Sequence, residues 1–263
     1  MFTTHISKTV TEITADEILL FHGVTPRQRA WLDAHLHYRA FPAGTNLMAV
    51  EQPGEVVYII LAGTVKIHID QEDGTEVILA ILGPGDTVGE MSLLDGTGRS
   101  ANAITQEETS VLWMDRRSFE QCLQEMPAVA SNLMRLLSNR LRHANGQIQS
   151  LATLSIHGRV AYQILHFAHR YGRPTPDGSY HIPLRLTQSD IAGLVGASRV
   201  RVNQAIVQFK RHGYISVDGN YHITVHDWKS LGRLCRSFAP PQPVCSQPTN
   251  GAVKNLTTNL LQL

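Results

Sequence analysis

The sequence predicts an α+β protein in three parts: an amino-terminal, jelly-roll-like β-roll, a long central helix and a carboxy-terminal winged helix-turn-helix. Three observations support this division. Short apolar runs punctuated by glycines occupy residues 41 to 116, an unbroken helical pattern begins at Pro127, and two capped helices joined by a glycine lie near residue 190. Short strands at near-regular spacing are typical of a small antiparallel barrel or roll.

The roll is expected to follow a helix that begins at Thr25-Pro26, because proline fits the first turn of a helix. Strands are predicted over residues 56–60, 65–69 and 77–82, where apolar residues alternate or run together. Asp73-Gly74 favours a hairpin turn between the second and third of these strands.

A long helix is predicted from Pro127 to about Thr153. Its apolar positions are spaced 4, 3, 4 and 3 apart, as in a two-stranded coiled coil. These positions are Leu137, Leu141, Ala144, Ile148 and Leu151. The alternative is a helix packed on the core of its own domain. Because the apolar stripe is narrow and flanked by polar residues, we favour a dimer seam.

Residues 186 to 205 have the pattern of a helix-turn-helix. Thr187 and Asp190 form a capping box at the start of the first helix. Gly196 falls at the turn, and Ser198 can cap the second helix. A following hairpin across residues 218–220 would form a wing.

The second helix of this pair would expose its amino-terminal end, the part that enters a DNA major groove. The expected DNA-contacting residues are Thr187, Gln188, Ser198, Arg199, Val200, Arg201, Gln204 and Lys210. The alternative is an ordinary helical hairpin whose arginines are merely solvated.

Charge is polarised along the chain. Residues 157 to 236 contain eleven Lys/Arg and four Asp/Glu, whereas residues 1 to 156 contain eleven and eighteen. The formal net charge of +1 therefore hides a basic carboxy-terminal part. A phosphate-binding surface requires such a charge, which favours double-stranded DNA as a partner.

A second informative segment runs from Thr87 to Ala101. A strand ends at Gly89, a short helical turn follows, and later glycines let the backbone double back so that Arg99 and Ser100 can face this turn. A guanidinium, a hydroxyl and backbone amides suit an anionic oxygen cluster, while Glu90 can accept from a sugar hydroxyl. The alternative is an ion pair between Glu90 and Arg99 that ties a turn together.

With these motifs in order, residues 41 to 225 resemble the cyclic-AMP receptor protein and fumarate-nitrate regulator family of bacterial transcription factors. The resemblance implies a homodimer in which a nucleotide in each roll reorients two DNA-reading helices. Matching positions imply Glu90 for the ribose, and Arg99, Ser100 and the Ala101 amide for the cyclic phosphate. Gly89 and Met91 would line the same pocket, and Arg140 matches a pocket arginine.

Two departures from the family pattern affect specificity. Ala144-Asn145 stand where cyclic-AMP-responsive members present a Thr-Ser pair to the adenine. The identity of the nucleotide base therefore stays open, with cyclic AMP the first candidate. Arg199-Val200-Arg201 replaces the family's Arg-Glu pattern. Because glutamate accepts from cytosine N4 and valine cannot, a different DNA half-site is expected.

The alternative effectors are a cyclic dinucleotide, haem, or no small molecule at all. Thirteen histidines, including His35, His37 and His68, leave haem open. No cysteine precedes Cys122, which excludes the family's amino-terminal iron–sulfur cluster. An enzyme is not expected, because no nucleophile–base pair or metal-ligand spacing accompanies the glycine-rich segment, and no metal is expected either.

We expect four regions: a cyclic-nucleotide-binding-like roll with flanking helices (1–126), a dimerisation helix (127–156), a winged helix-turn-helix (157–236) and a disordered tail (237–263). The expected partners are a palindromic DNA operator, a second copy of the chain and, through the tail or elsewhere, RNA polymerase. No apolar run approaches the length that spans a bilayer, so no membrane partner and a cytoplasmic location are expected. Three scattered cysteines indicate no disulfide framework.

Overall fold

The structure is a computed structural model, and it describes residues 18 to 235. The predicted tail and Cys245 lie outside the described residues. In the part that is described, no helix is both long enough and apolar enough to cross a membrane.

Eight antiparallel strands form the roll. They are β1 (His37–Phe41), β2 (Asn46–Met48), β3 (Val56–Ala62), β4 (Val65–Asp70), β5 (Glu76–Leu82), β6 (Thr87–Val88), β7 (Asn102–Thr105) and β8 (Thr109–Asp115). Two four-stranded sheets result, in the orders β1-β8-β3-β6 and β2-β7-β4-β5. The expected hairpin between β4 and β5 is confirmed: Gln71 N–H donates to Thr75 O, and Gly74 has φ of 81°.

Four helices accompany the roll. They are α1 (Pro26–His35), α2 (Glu90–Asp95), α3 (Arg116–Glu125) and α4 (Pro127–Thr153), with a 3₁₀ turn at Leu19–Phe21. The helix predicted at Thr25-Pro26 is confirmed, with Thr25 and Gln28 forming a capping box. The predicted bounds of α4 are confirmed as well. Helix α3 was not predicted, although Asp115 caps its start by accepting from Ser118 N–H.

The carboxy-terminal part combines four helices with a small sheet. Its elements are α5 (Ile156–Tyr171), β9 (Arg173–Pro174), β10 (Tyr180–Ile182), α6 (Gln188–Val195), α7 (Arg199–Arg211), β11 (Ile215–Val217), β12 (Ile223–Val225) and α8 (Trp228–Leu234). The predicted wing is the β11–β12 hairpin, and β10 and β9 extend it into a four-stranded sheet. The sequence patterns missed β9, β10 and α8.

Three apolar clusters hold these layers together. One lies between the two sheets of the roll and includes Ile60, Val65 and Val111. A second lies under the helices that cover β3 and includes Val129 and Leu133 of α4. The third fills the carboxy-terminal part.

The third cluster crosses the domain boundary, because Ile78 and Ile81 of β5 are buried in it. Close packing explains why α6 carries a glycine here: a Cβ on Gly193 would lie 2.8 Å from Ile78 Cδ1. The backbone N–H of Arg185 also donates to Thr64 Oγ1 of the roll at 3.0 Å. The roll and the carboxy-terminal part are therefore packed against each other.

A buried ionic contact joins the same two parts. Asp86, at the turn between β5 and β6, is completely buried and accepts hydrogen bonds from the Arg170 guanidinium and the Tyr171 hydroxyl of α5. Gly83 N–H donates to the same carboxylate at 3.1 Å. We call Asp86, Arg170 and Tyr171 the interdomain triad.

Helix α4 has two apolar stripes with different surroundings. Val129, Leu133 and Leu136 are buried against the roll, and Leu137 is half-buried beside them. A second stripe is open to solvent: Met134, Leu141, Ile148 and Leu151 are 64%, 63%, 66% and 42% exposed. The alternative of packing on the helix's own domain therefore applies to the first stripe. Of the predicted seam residues, Leu141, Ala144, Ile148 and Leu151 lie on the exposed side, whereas Leu137 packs on the roll and Met134, which was not predicted, is exposed instead.

Candidate functional site

The turn between β6 and α2 requires glycine at position 89. Gly89 has a φ of 91°, and a Cβ there would lie 2.5 Å from Arg99 Nη1 and 3.1 Å from Val56 O. Only glycine adopts this backbone conformation cheaply and leaves room for the arginine. The turn therefore brings a guanidinium directly against the start of α2.

Arg99 is almost fully buried beneath this turn, with 5% of its surface exposed. Its Nη1 donates to Gly89 O at 2.7 Å and to Ser92 Oγ at 2.8 Å, and its Nη2 donates to Val56 O at 2.7 Å. Burial lowers the pKa of the guanidinium from its usual value, and nearby acidic groups oppose this shift. The cation is thus held by neutral acceptors and can attract an anion at the mouth of the turn.

Glu90 is paired with Arg140 of α4. Its Oε1 accepts from Arg140 Nη1 at 2.5 Å, and Arg140 Nη2 also donates to Thr87 O. Glu90 is only 1% exposed, and no described residue donates a hydrogen bond to its buried Oε2. The alternative of a Glu90–Arg99 ion pair is wrong: the carboxylate joins the roll to the long helix instead.

These groups surround one small cavity with a free volume of about 70 Å³. Its walls contain the expected residues Gly89, Glu90, Met91, Arg99, Ser100, Ala101 and Arg140, together with Met48, Ile67, Leu82, Thr87, Val88 and Ser92. The residues of the second set were not predicted as site residues. Ser92 could have been found from its position one short turn after Gly89, whereas Met48 and Ile67 come from strands distant in sequence.

Ala144 and Asn145, which were expected at the same site, do not line this cavity. Both are exposed on α4, one turn beyond Arg140. They lie between the exposed Leu141 and Ile148, so the structure brings them to the open apolar stripe and away from the pocket of the same chain.

The helix pair has the local geometry predicted for it. Thr187 Oγ1 accepts from Asp190 N–H, and Asp190 Oδ2 accepts from Thr187 N–H at 2.9 Å. Gly196 ends α6 with φ of 59°, and Ser198 Oγ accepts from Arg201 N–H at 3.4 Å to cap α7. Both caps are side-chain acceptors for orphan amides.

Helix α7 buries one face and exposes the other. Val202, Ala205 and Phe209 are buried in the carboxy-terminal core. The opposite face is exposed and carries the predicted DNA-contacting residues Arg199, Val200, Arg201, Gln204 and Lys210. Gln188 lies beside this face and donates to Asn203 Oδ1 at 2.9 Å, so the expected residues of α6 and α7 share one surface.

The histidines considered for haem lie in separate places. His35 Nδ1–H donates a hydrogen bond to Trp31 O at 2.8 Å, and the imidazole stacks on the Trp31 ring. His37 lies on β1 against Trp113. His68 lies near Asp70 and Glu76 on the β4–β5 hairpin, where Lys66 Nζ already donates to Glu76 at 2.6 Å.

Comparison with known proteins agrees with both halves of this architecture. Residues 38–126 match the model of a cyclic nucleotide-binding domain, and residues 158–234 match that of a Crp-like helix-turn-helix domain. The two matches define the class of protein: a transcription regulator with a nucleotide-binding-type roll and a DNA-binding helix pair.

Individual relatives narrow the class to a family. The chain is 37% identical over 225 residues to a CRP-like cAMP-activated global transcriptional regulator of Mycobacterium tuberculosis, covering 84% of this chain and all of that protein. It is 31% identical to the cyclic AMP receptor protein of Thermus thermophilus, covering 74% and 87% of the two chains. The chain belongs to the CRP family of transcription regulators.

A solved structure gives the same result for the fold. FixK2 from Bradyrhizobium japonicum superposes with a TM-score of 0.66 at 25% identity, over 76% of this chain and 96% of that one. The expected fold class is confirmed, and the protein is a DNA-binding regulator and not an enzyme.

Proposed function

We propose that this protein is a homodimeric transcription regulator whose affinity for double-stranded DNA is controlled by a cyclic nucleotide, with cyclic AMP the first candidate. The observation that carries the proposal is the convergence of Glu90, Arg99, Ser100 and Arg140 on one cavity of a cyclic nucleotide-binding domain. Two relatives named for cyclic AMP support the choice of nucleotide.

The chemistry of the cavity suits a phosphate joined to a sugar. Arg99 and Ser100 would donate to the cyclic phosphate, together with the Ala101 amide, and charge-assisted bonds of this type are about twice as strong as neutral ones. Glu90 Oε2 lacks a donor among the described residues, so a ribose hydroxyl could supply one. Gly89 and Met91 would line the ribose and phosphate.

Ligand entry requires the cavity to open. Its free volume of about 70 Å³ is well below the roughly 300–1,000 Å³ of typical small-molecule sites. Arg140 closes it by pairing with Glu90, so a nucleotide must displace this guanidinium or share it. Because Arg140 belongs to α4, such a shift would move the helix that connects the two halves of the protein.

The exposed stripe of α4 supports a homodimer. Met134, Leu141 and Ile148 recur every seven residues and leave large apolar side chains in water. A second copy would cover them in a coiled-coil seam. Ala144 and Asn145 would then lie at the seam, where the base of a nucleotide bound to either protomer could reach them.

The exposed face of α7 supports major-groove recognition. Arg199 and Arg201 would contact guanine or phosphate, Gln204 would contact adenine, and Val200 would meet a thymine methyl group. Thr187, Gln188, Ser198 and Lys210 surround this face and would contact the phosphate backbone. A two-fold dimer would read a palindromic operator.

The proposed division of labour follows the predicted regions: a nucleotide-binding roll (1–126), a dimerisation helix (127–156) and a DNA-binding winged helix (157–236). We place the protein in the cytoplasm with its DNA target, and RNA polymerase is a further proposed partner. The proposal needs no metal ion.

The test is calorimetry of the full-length protein with cyclic AMP, cyclic GMP and cyclic dinucleotides, combined with fluorescence anisotropy of operator DNA. Cyclic AMP should bind saturably and raise DNA affinity. If only another of these ligands binds, that ligand is the effector. A folded protein that binds none of them would contradict the proposal that the roll binds a cyclic nucleotide.

Two substitutions separate the proposed modules. Arg99→Ala should remove the nucleotide response and leave weak nonspecific DNA binding. Arg199→Ala should relax base discrimination by about 1–3 kcal/mol at one position and leave nucleotide binding unchanged. If Arg99→Ala changed base discrimination and Arg199→Ala removed nucleotide binding, the assignment of the two modules would be wrong.

A further inference from the structure

A second and larger cavity lies between α4 and α5, apart from the nucleotide pocket. Its free volume is about 580 Å³, within the range of small-molecule sites. Arg142 and His143 line it from α4, and Tyr162, His166, His169 and Arg170 line it from α5. None of these residues lines the cavity around Arg99.

The wall of this cavity is basic. Two arginines and three histidines face it, and none of the described residues that line it is acidic. Arg170 pairs with the Asp86 carboxylate as part of the interdomain triad. Arg142 is exposed and donates from Nη2 to the neutral Asn139 Oδ1 at 2.6 Å. Positive charge in this wall is therefore only partly neutralised.

Two histidines form a stacked pair at the centre of the wall. The His143 and His166 rings lie 3.5 Å apart at 13°, and the Tyr162 ring lies 6.5 Å from His143. His143 Nδ1 is buried and has no hydrogen-bond partner among the described residues. A buried polar atom without a partner is uncommon, and a ligand that accepts a hydrogen bond would supply one.

Burial and neighbouring positive charge favour the neutral form of the pair, so the histidines contribute hydrogen bonds and the arginines contribute the charge. Burial, together with the charge of Arg170, lowers the pKa of His143 to about 4, and burial lowers that of His166 as well. The groups that face the pair are Arg170, His169 and Tyr162, so no described acidic group offsets this effect. An anion in the cavity would raise the pKa of both histidines back toward its usual value, so its binding should strengthen as the pH falls.

The cavity lies away from the exposed seam of α4. If Leu141 and Ile148 mark the seam, Arg142 and His143 fall one and two residues after Leu141, on the side of the helix that α5 covers. Every residue that lines the cavity comes from one chain.

We propose that the cavity between α4 and α5 binds a small organic phosphate, distinct from the nucleotide in the roll. Arg142 and Arg170 supply fixed positive charge, and the stacked histidines supply additional donors. Several donors converging on one point suit the three oxygens of a phosphate group. Because Arg170 also pairs with Asp86, such a ligand acts on the contact between the roll and the DNA-binding part.

The experiment uses full-length protein and three probes: pyrophosphate, a hexose bisphosphate and citrate as a carboxylate comparison. Binding is followed by calorimetry and by thermal shift. A phosphate probe should bind saturably, and Arg142→Gln should weaken it about tenfold or more, as expected for loss of a charge-assisted bond. Arg117→Gln, which removes an exposed arginine on α3, should leave binding unchanged.

The nucleotide pocket provides the second control. Arg99→Ala should retain phosphate binding, and saturating cyclic AMP should not compete with it. Loss of binding in Arg99→Ala would place the phosphate in the roll and overturn the proposal. So would equal binding by wild type and Arg142→Gln, preference for citrate over both phosphates, or no saturable binding by wild type.

Discussion

At the scale of single residues, Arg99 serves two purposes. Its guanidinium closes the turn by donating to Gly89 O and Val56 O, and it places positive charge beneath the cavity. The first purpose stabilises the fold without a ligand, and the second attracts an anion. A substitution that keeps the charge can therefore separate them.

Arg99→Lys is such a substitution. A lysine keeps one positive charge but cannot form the planar fork that reaches both carbonyl oxygens. We expect the free energy of unfolding to fall by about 1.5–3 kcal/mol, because buried acceptors lose charged donors. Urea denaturation measures this change. Arg117→Lys is the matched control, and equal stabilities of the two variants would contradict the structural role of Arg99.

The stacked histidines make stability depend on pH. Folding lowers the pKa of His143 from 6.5 to about 4, so between these values the unfolded chain binds more protons than the folded one. Stability should therefore fall as the pH drops through this range, by about 1.4 kcal/mol for each unit by which the pKa is lowered. Thermal unfolding near pH 7.5 and near pH 5 measures the effect.

His143→Asn should reduce this pH dependence. His212→Asn, which changes an exposed histidine on the surface after α7, should leave it unchanged. If both variants kept the full dependence of the wild type, other groups would be responsible.

At the scale of elements, α4 illustrates how one helix can face two environments. Neighbouring residues of α4 face different surroundings: Leu133 is buried against the roll, and Met134, the next residue, is exposed. A 27-residue helix is long enough to carry both stripes. Within residues 18 to 235, the exposed stripe stays open to solvent.

Leu141→Glu should weaken or abolish the proposed dimer. Each protomer would lose about 1.5–3 kcal/mol of apolar burial, so the dissociation constant should rise more than tenfold. Sedimentation equilibrium measures it. Gln149→Glu adds the same charge at an exposed position next to Ile148 and should have a smaller effect. A wild-type monomer at all concentrations would rule out the seam.

The elements that sequence could predict are those with local signals. Caps at Thr25, Thr187 and Ser198 and the glycine turn at Gly196 set helix ends through contacts within four residues. The strands β9 and β10 are short, and β10 also pairs with β12, whose residues lie about forty positions away. Such pairing leaves no local pattern.

The candidate site divides in the same way. Glu90, Arg99 and Ser100 are found from one contiguous segment and its resemblance to a family. The Glu90–Arg140 pair joins residues fifty positions apart, so the sequence suggested the wrong partner for Glu90. The cavity between α4 and α5 was missed because its histidines show no metal-type spacing and act through the packing of two helices.

At the scale of the whole molecule, the interdomain triad links the roll to α5. Asp86 is followed directly by Thr87, whose carbonyl accepts from Arg140. Arg140 and Arg170 therefore bind two adjacent residues of the roll, and we expect a shift of one guanidinium to affect the other.

Asp86→Asn should uncouple the two halves. Removing one partner from a buried ion pair destabilises proteins by about 3–5 kcal/mol, because the other charge stays buried. We expect a lower melting temperature, and calorimetry should resolve separate transitions for the roll and the carboxy-terminal part. Asp33→Asn, on the exposed face of α1, is the control. A single transition at the wild-type temperature would contradict the triad's role.

The burial of Ile78 and Ile81 in the carboxy-terminal core has a practical consequence for dissecting this regulator. A fragment starting at Ser155 would lack both side chains. It would expose an apolar surface on α6, where Gly193 contacts Ile78 in the intact chain. Such a truncated piece would self-associate more readily than the intact chain. The DNA affinity and oligomeric state of such a fragment would therefore differ from those of the whole chain.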